Sequence, residues 1–268
     1  MPMKGMMSLD SGKAIMAETC NWQTCYTQID DAIVALSADA AAAAELEEMQ
    51  APNLLRVQYI LSSHDDDGFP HEREAAVLDE LRRELQDWIG ALGGRMVGET
   101  TGAGQHSWFF YVPCGWLEVA NLIHRIGLRV NVALGAEMLP DATHRIYHEH
   151  LLPTEEELRR TRIAERLAEL AARGDDARQP RPVTHVVRFD NRVQAFSCAD
   201  WARRNGYVVE SLLPPSAAQE GYHLSFHRLM TPQAAALDAD IAAITETVRR
   251  LGGDYLDWRT EPRVTQTA

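Results

Sequence analysis

From residue 183 onward, short runs of β-branched and aromatic residues alternate with stretches whose apolar positions recur at helical spacing. The runs 183–189, 207–213, 221–229 and 254–258 read as strands. A helix closed by Gly206 lies between the first two. A longer one, 233–251, lies between the last two and sets Leu237, Ile241, Ile244, Val248 and Leu251 on one side. The order β-α-β-β-α-β predicts an antiparallel sheet with both helices on one face.

The first half obeys the same rules. A strand at 54–61 precedes a helix at 72–92 with Leu78, Leu81, Leu85, Trp88, Ile89 and Leu92 on one face, stopped by Gly93-Gly94. Strands 95–101 and 107–113 flank Gly102-Ala103-Gly104, which reads as a hairpin turn. A helix over 116–126 carries Trp116, Val119, Ala120, Ile123 and Ile126, and Gly127 is expected to end it before a last strand at 128–134. Upstream, 22–30 and 32–37 predict a hairpin and 38–49 a short helix, and about fifteen leading residues read as disordered. The element order is again β-α-β-β-α-β. The long helix ending in Gly-Gly comes first here and second in the other half, and no residue-level repeat links them.

Between the halves, Thr154 and Glu157 form a capping box after Pro153. The charged helix that follows, to about Arg173, keeps Leu158, Ile163, Leu167 and Leu170 on one side. Such a stripe must be laid against something, most simply one of the sheets. A loop at 174–182 completes the connector. The predicted class is α+β: a ferredoxin-like domain at 1–152, a helical connector at 153–182 and a second ferredoxin-like domain at 183–268.

Three segments of the last third, Thr184-His185-Val186-Val187-Arg188-Phe189, Gly206-Tyr207-Val208-Val209-Glu210 and Leu251-Gly252-Gly253-Asp254-Tyr255-Leu256-Asp257-Trp258, carry a resemblance. They resemble the bacterial regulator of ribonuclease activity B family, small acidic proteins that bind ribonuclease E and inhibit it without doing chemistry. The resemblance implies a protein partner, ribonuclease E or a basic segment of an RNA-decay component. It implies no cofactor, no direct nucleic-acid contact, and a partner surface at Asp254, Tyr255, Asp257 and Trp258. Where that family's tail reads Tyr-Asp-Gly-Trp, Leu256-Asp257 stands here between Tyr255 and Trp258. The first half resembles a bacterial domain of unknown function, number 695. The match lies in Trp22, Asp67-Gly68-Phe69-Pro70, Val97-Gly98-Glu99-Thr100-Thr101-Gly102 with Phe110-Tyr111, and His144-Arg145-Ile146-Tyr147 leading to Leu152-Pro153. With no assigned activity, that family implies a boundary and a fold only.

Composition adds little chemistry. No apolar run approaches the ~18 residues of a membrane span, and no charged-then-apolar leader opens the chain, so a cytoplasmic protein is expected. The four cysteines, Cys20, Cys25, Cys114 and Cys198, show no Cys-x-x-Cys spacing and read as free thiols. Charge is more telling. Residues 1–150 carry 10 Lys/Arg against 22 Asp/Glu, whereas 181–268 carry 10 of each. An acidic first half repels phosphate backbones and attracts basic protein surfaces.

The candidate catalytic motifs are each better explained structurally. Gly102-Ala103-Gly104 precedes a strand, not the helix N-terminus a phosphate loop needs. The adjacent aspartates of His64-Asp65-Asp66-Asp67-Gly68 lack the alternation of a calcium loop. His144, His148 and His150 lack the order of a metalloprotease. His185 falls on the core side of its strand while His223 and His227 face the other way, so the three cannot converge. Trp108, Phe109, Phe110 and Tyr111 put aromatics on both faces of one strand, a stacking surface for RNA in principle, although packing under the connector helix is the simpler reading. The expectation is therefore a protein-binding regulator, ahead of an RNA-binding protein and of an enzyme with its site between the domains.

Overall fold

The computed structural model describes residues 20–29, 31–217 and 219–263. The leading segment expected to be disordered lies outside them. The chain divides into two units, Met1–Pro153 and Thr154–Ala268.

The first unit is built on β1 (Trp22–Ile29), β2 (Ala32–Asp39), α1 (Ala42–Glu48), β3 (Asn53–Ile60), α2 (Glu72–Ala91), β4 (Arg95–Gly102), β5 (Gln105–Val112), α3 (Trp116–Val130) and β6 (Gly135–Pro140). All strand pairs are antiparallel, in the order β1-β2-β4-β5-β3-β6. The expected β-α-β-β-α-β core runs from β3 to β6, with the β1–β2 hairpin added at its β4 edge. Leu55, Val57, Trp108 and Phe110 on the sheet meet Leu81, Leu85 and Ile89 of α2 and Val119, Ile123 and Ile126 of α3.

Two expectations fail here. Gly127 does not end α3, which continues to Val130 and closes on Asn131 in the left-handed conformation (φ 60°), its N–H bonded to the Gly127 carbonyl. Gly127 is instead a packing position, because a Cβ there would fall 2.8 Å from the Val132 carbonyl oxygen. The last strand is accordingly Gly135–Pro140, not 128–134. The aromatic strand, expected to pack under the connector helix, finds its cover within its own unit. Trp108 and Phe110 lie under α2 and α3, and Tyr111 faces the other way, donating to Asp141 at 2.5 Å. A π-helical turn at Tyr147–Leu151 closes that side, where the Tyr147 hydroxyl donates to the Asp39 carbonyl at 2.7 Å.

The second unit comprises α4 (Glu155–Ala172), β7 (Arg181–Phe189), α5 (Arg192–Arg204), β8 (Val208–Leu213), β9 (Tyr222–Met230), α6 (Ala234–Arg250) and β10 (Gly253–Arg259). The antiparallel order β10-β7-β9-β8 sets the first and third strands side by side. Gly253 is required where β10 begins, since a Cβ would meet the Phe189 ring at 2.3 Å. One apolar cluster joins Val187, Phe189, Leu224 and Phe226 to Cys198, Ala202, Ile244 and Val248. A second joins Val183, Leu237, Ile241 and Trp258 to Ile163 of α4. The stripe of α4 thus meets α6 and the β7–β10 side of the sheet. The Thr154–Glu157 capping box forms as the sequence implies: Glu157 N–H donates to the Thr154 hydroxyl at 3.2 Å, and Thr154 N–H to the Glu157 carboxylate at 2.9 Å. The loop after α4 is tied down as well, Arg181 pairing with Asp175 and Asp176 N–H donating to the Arg263 carbonyl. Among the described residues no helix is long and apolar enough to cross a membrane.

Candidate functional site

In the second unit α4, α6 and β10 enclose a groove of about 590 Å³. Leu158, Ile163, Ile241, Tyr255, Leu256 and Trp258 supply its apolar lining, while Glu155, Arg159, Arg162, Glu165, Arg166 and Glu169 of α4 and Asp257 of β10 supply its charges. Three of the four expected partner-contact residues, Tyr255, Asp257 and Trp258, line it. The fourth, Asp254, lies elsewhere on β10, exposed and ion-paired with Arg188 at 2.6 Å. Trp258, 4% exposed, belongs to the core cluster with Ile163 and Ile241, so it shapes the groove from beneath.

A register shift in β10 decides which side chains reach the surface. Tyr255 pairs with Val187 and Asp257 with Val186, so Leu256 is an extra residue opposite none. Strict alternation would put Tyr255 and Trp258 on opposite faces. The bulge returns both to the core side and leaves Leu256 44% exposed at the groove. Beside it the Arg166 guanidinium reaches Asp257 at 2.6 Å, donates to the Trp258 carbonyl and stacks over the Trp258 ring, 5.1 Å from its centroid. Farther along, Arg159 and Arg160 hold Asp238 of α6 at 2.7 and 3.0 Å. Burial pushes the Asp238 carboxyl up, but the two guanidinium groups outweigh it and hold it below the usual carboxylate range.

Beneath the groove runs a buried polar chain. The Tyr255 hydroxyl lies 2.9 Å from His185 Nδ1, and His185 Nε2 lies 3.1 Å from Asp240 Oδ2. The other Asp240 oxygen accepts from the Tyr207 hydroxyl and lies 2.7 Å from the Arg228 guanidinium. Burial raises the Asp240 carboxyl, and its contacts with His185 and Tyr207 more than offset this, leaving it below its ordinary value. Burial also pushes Tyr207 and Tyr255 well above the ordinary phenol range, which keeps both as neutral hydroxyls rather than nucleophiles. His185 is wholly buried, whereas His227 faces the opposite side and pairs with Glu210 at 2.7 Å, so the three histidines do not converge.

Sequence reading missed α4 as a wall of this site and the bulge that presents Leu256. The apolar stripe of α4 was visible, but its partner was not. Asp240, which lies among Leu237, Ile241 and Ile244, was the legible sign of a buried polar network.

The remaining candidates resolve into structure. The Gly104 N–H of the glycine turn donates to the Gly68 carbonyl at 3.1 Å, and Asp65 accepts from the Asp67 and Phe69 amides at 3.1 and 2.8 Å. His144 is buried beside the Ala51 carbonyl at 3.2 Å while His148 and His150 are exposed. No disulfide joins any of the four cysteines, and burial pushes the Cys198 thiol up to about 12.

These features define the second unit as a β-α-β-β-α-β fold whose distinctive surface is a groove rather than a cluster of reacting groups. Residues 160–260 match the family model described as Regulator of ribonuclease activity B, a match that starts inside α4 and ends just beyond β10. Residues 20–152 match a family of unknown function, DUF695. Comparison with curated proteins returns no match. Two solved structures show distant likeness. One is an unknown protein from Galdieria sulphuraria, with 10% identity, 79% of this chain and 98% of that chain covered, and a TM-score of 0.21. The other, provisionally described as a glycine cleavage system transcriptional repressor, has 9% identity, 78% and 98% covered, and a TM-score of 0.21. At those TM-scores neither likeness bears on fold or function.

Proposed function

We propose that this chain is a non-catalytic, cytoplasmic regulator of ribonuclease activity that works by binding a protein, with ribonuclease E as its target and lowered RNA cleavage as its effect. The observation that carries the reading is the match of residues 160–260 to the regulator of ribonuclease activity B model, which takes in α4 from its second turn on, the whole four-stranded sheet and both of its helices. Inhibition by binding needs a surface and no reacting groups, and the groove is such a surface. The burial of Trp108, Phe110 and Tyr111 removes three of the four aromatics an RNA-stacking strand would have used and speaks against the RNA-binding alternative.

The test is direct. Added to ribonuclease E that retains its C-terminal scaffold, the purified chain should slow cleavage of a standard RNA substrate, and alone it should leave that RNA intact. RNA cleavage by the chain itself, or inhibition that survives when only residues 1–150 are supplied, would show the reading to be wrong in kind or in location.

A further inference from the structure

We propose that the α4–α6–β10 groove is the docking site for an amphipathic helix of the partner, one that inserts apolar side chains between α4 and Leu256 and sets Lys or Arg against the outer face of α4. This rests on the reading of the chain as a protein-binding regulator and specifies which surface binds and what it binds.

Shape and backbone select a helix over a strand. β10 is an edge strand, the usual place for a partner to add a strand. Its ladder is interrupted by the bulge between Tyr255 and Asp257, and the Trp258 carbonyl is occupied by Arg166. An incoming strand would find a broken row of acceptors. The groove offers side-chain space instead, about 590 Å³, within the roughly 300–1,000 Å³ of ordinary ligand pockets. The i, i+3/i+4, i+7 face of a helix fills such a space.

Chemistry selects apolar anchors and a basic flank. Leu256 sits at a position where a bulge costs the ladder a residue and turns a leucine outward, while its neighbours Tyr255 and Trp258 stay with the core. Leu158 and Ile241 continue the apolar lining. On the rim the charges are mostly spent: Arg159 on Asp238, Arg166 on Asp257, Glu155 on Arg249. Glu165 and Glu169, one turn apart on α4, are exposed lining residues with no ion pair among the described residues, against the single unpaired lining cation Arg162. Two free carboxylates at the lip favour a cationic occupant.

The experiment uses the full chain and overlapping synthetic peptides spanning the C-terminal scaffold of ribonuclease E, with affinity measured by fluorescence anisotropy and helicity by circular dichroism. The tightest peptide should combine apolar residues at helical spacing with Lys or Arg and gain helix signal when bound. Leu256→Glu should weaken it by about tenfold or more. The double change Glu165→Lys, Glu169→Lys should do the same at low salt, with the loss shrinking as salt is added, and Glu220→Lys, between β8 and β9 and outside the groove lining, should not. Because Leu256, Glu165 and Glu169 are exposed, unchanged thermal unfolding will confirm that the variants fold. Binding that the Leu256→Glu variant retains in full, or a bound peptide that stays extended, would overturn the proposal. If wild type and Leu256→Glu inhibit ribonuclease E equally, the groove is refuted and the regulator reading stands. If wild type neither inhibits nor binds any peptide, the regulator reading fails and the groove falls with it.

Discussion

Asp240 stands among the apolar residues of α6, and what surrounds it shows why a charge is tolerated there. Its two oxygens are shared among Tyr207, Arg228 and His185, so the carboxylate is buried but not alone. Removing one member of a buried charge pair strands the other, at a cost of ~3–5 kcal/mol. Asp240→Asn should cost about 3 kcal/mol, the low end of that range, because Arg228 reaches solvent. Its pKa lies below the unfolded value of ~3.9. The stability it contributes is therefore present in full above that pH and lost as pH falls through the folded-state value. Chemical denaturation across pH 3–7 should show a drop at the acid end in the wild type that is smaller in Asp240→Asn. Trp258 and Leu256 make a second contrast. Trp258→Ala empties a core position and should cost ~3–5 kcal/mol, while Leu256→Ala, on the surface, should stay within about 0.5 kcal/mol.

Among the elements, α3 and α4 each show a local signal whose meaning depends on what lies across from it. Helix propensity alone says that Gly127→Ala should stabilise α3. The 2.8 Å approach of a Cβ to the Val132 carbonyl says the opposite, and we expect a loss of ~1–3 kcal/mol, read as a lowered calorimetric transition of the first unit. In α4 the capping box fixes the start of the helix, and Thr154→Ala should cost ~0.5–2 kcal/mol. The ion pairs from Arg159 and Arg160 to Asp238 and the burial of Ile163 against Trp258 then make α4 part of the unit it precedes.

On the scale of the whole molecule, that packing sets where the chain can be cut. A fragment of residues 154–263 should unfold cooperatively. One of residues 183–263 lacks Ile163 and leaves Leu237, Ile241 and Trp258 uncovered, and should melt at lower temperature. Ile244→Ala should cost ~2–5 kcal/mol in either, because Ile244 belongs to the other cluster. Charge acts at the same scale. The excess of acidic groups in residues 1–150 should attract a basic partner over a range that shrinks from ~30 Å at 0.01 M salt to ~8 Å at 0.15 M. Association should accordingly be salt-sensitive, and single-stranded RNA should not bind at low salt. Tight RNA binding there, fading as salt rises, would reverse that expectation.

The sequence by itself determined the two β-α-β-β-α-β patterns, the capping box at Thr154 and the opposite facing of His185 and His227, because each depends on the short-range periods of helix and strand. It misplaced the end of α3 and the strand after it, because Gly127 was needed for a close approach by Val132, a contact local reading attributes to helix termination. Only the tertiary structure decided that α4 packs on α6, that β10 bulges at Leu256, and that Tyr255, His185 and Asp240 form one chain. Each of these joins residues dozens of positions apart, and the period of a helix or strand specifies which face is buried but not which distant element buries it.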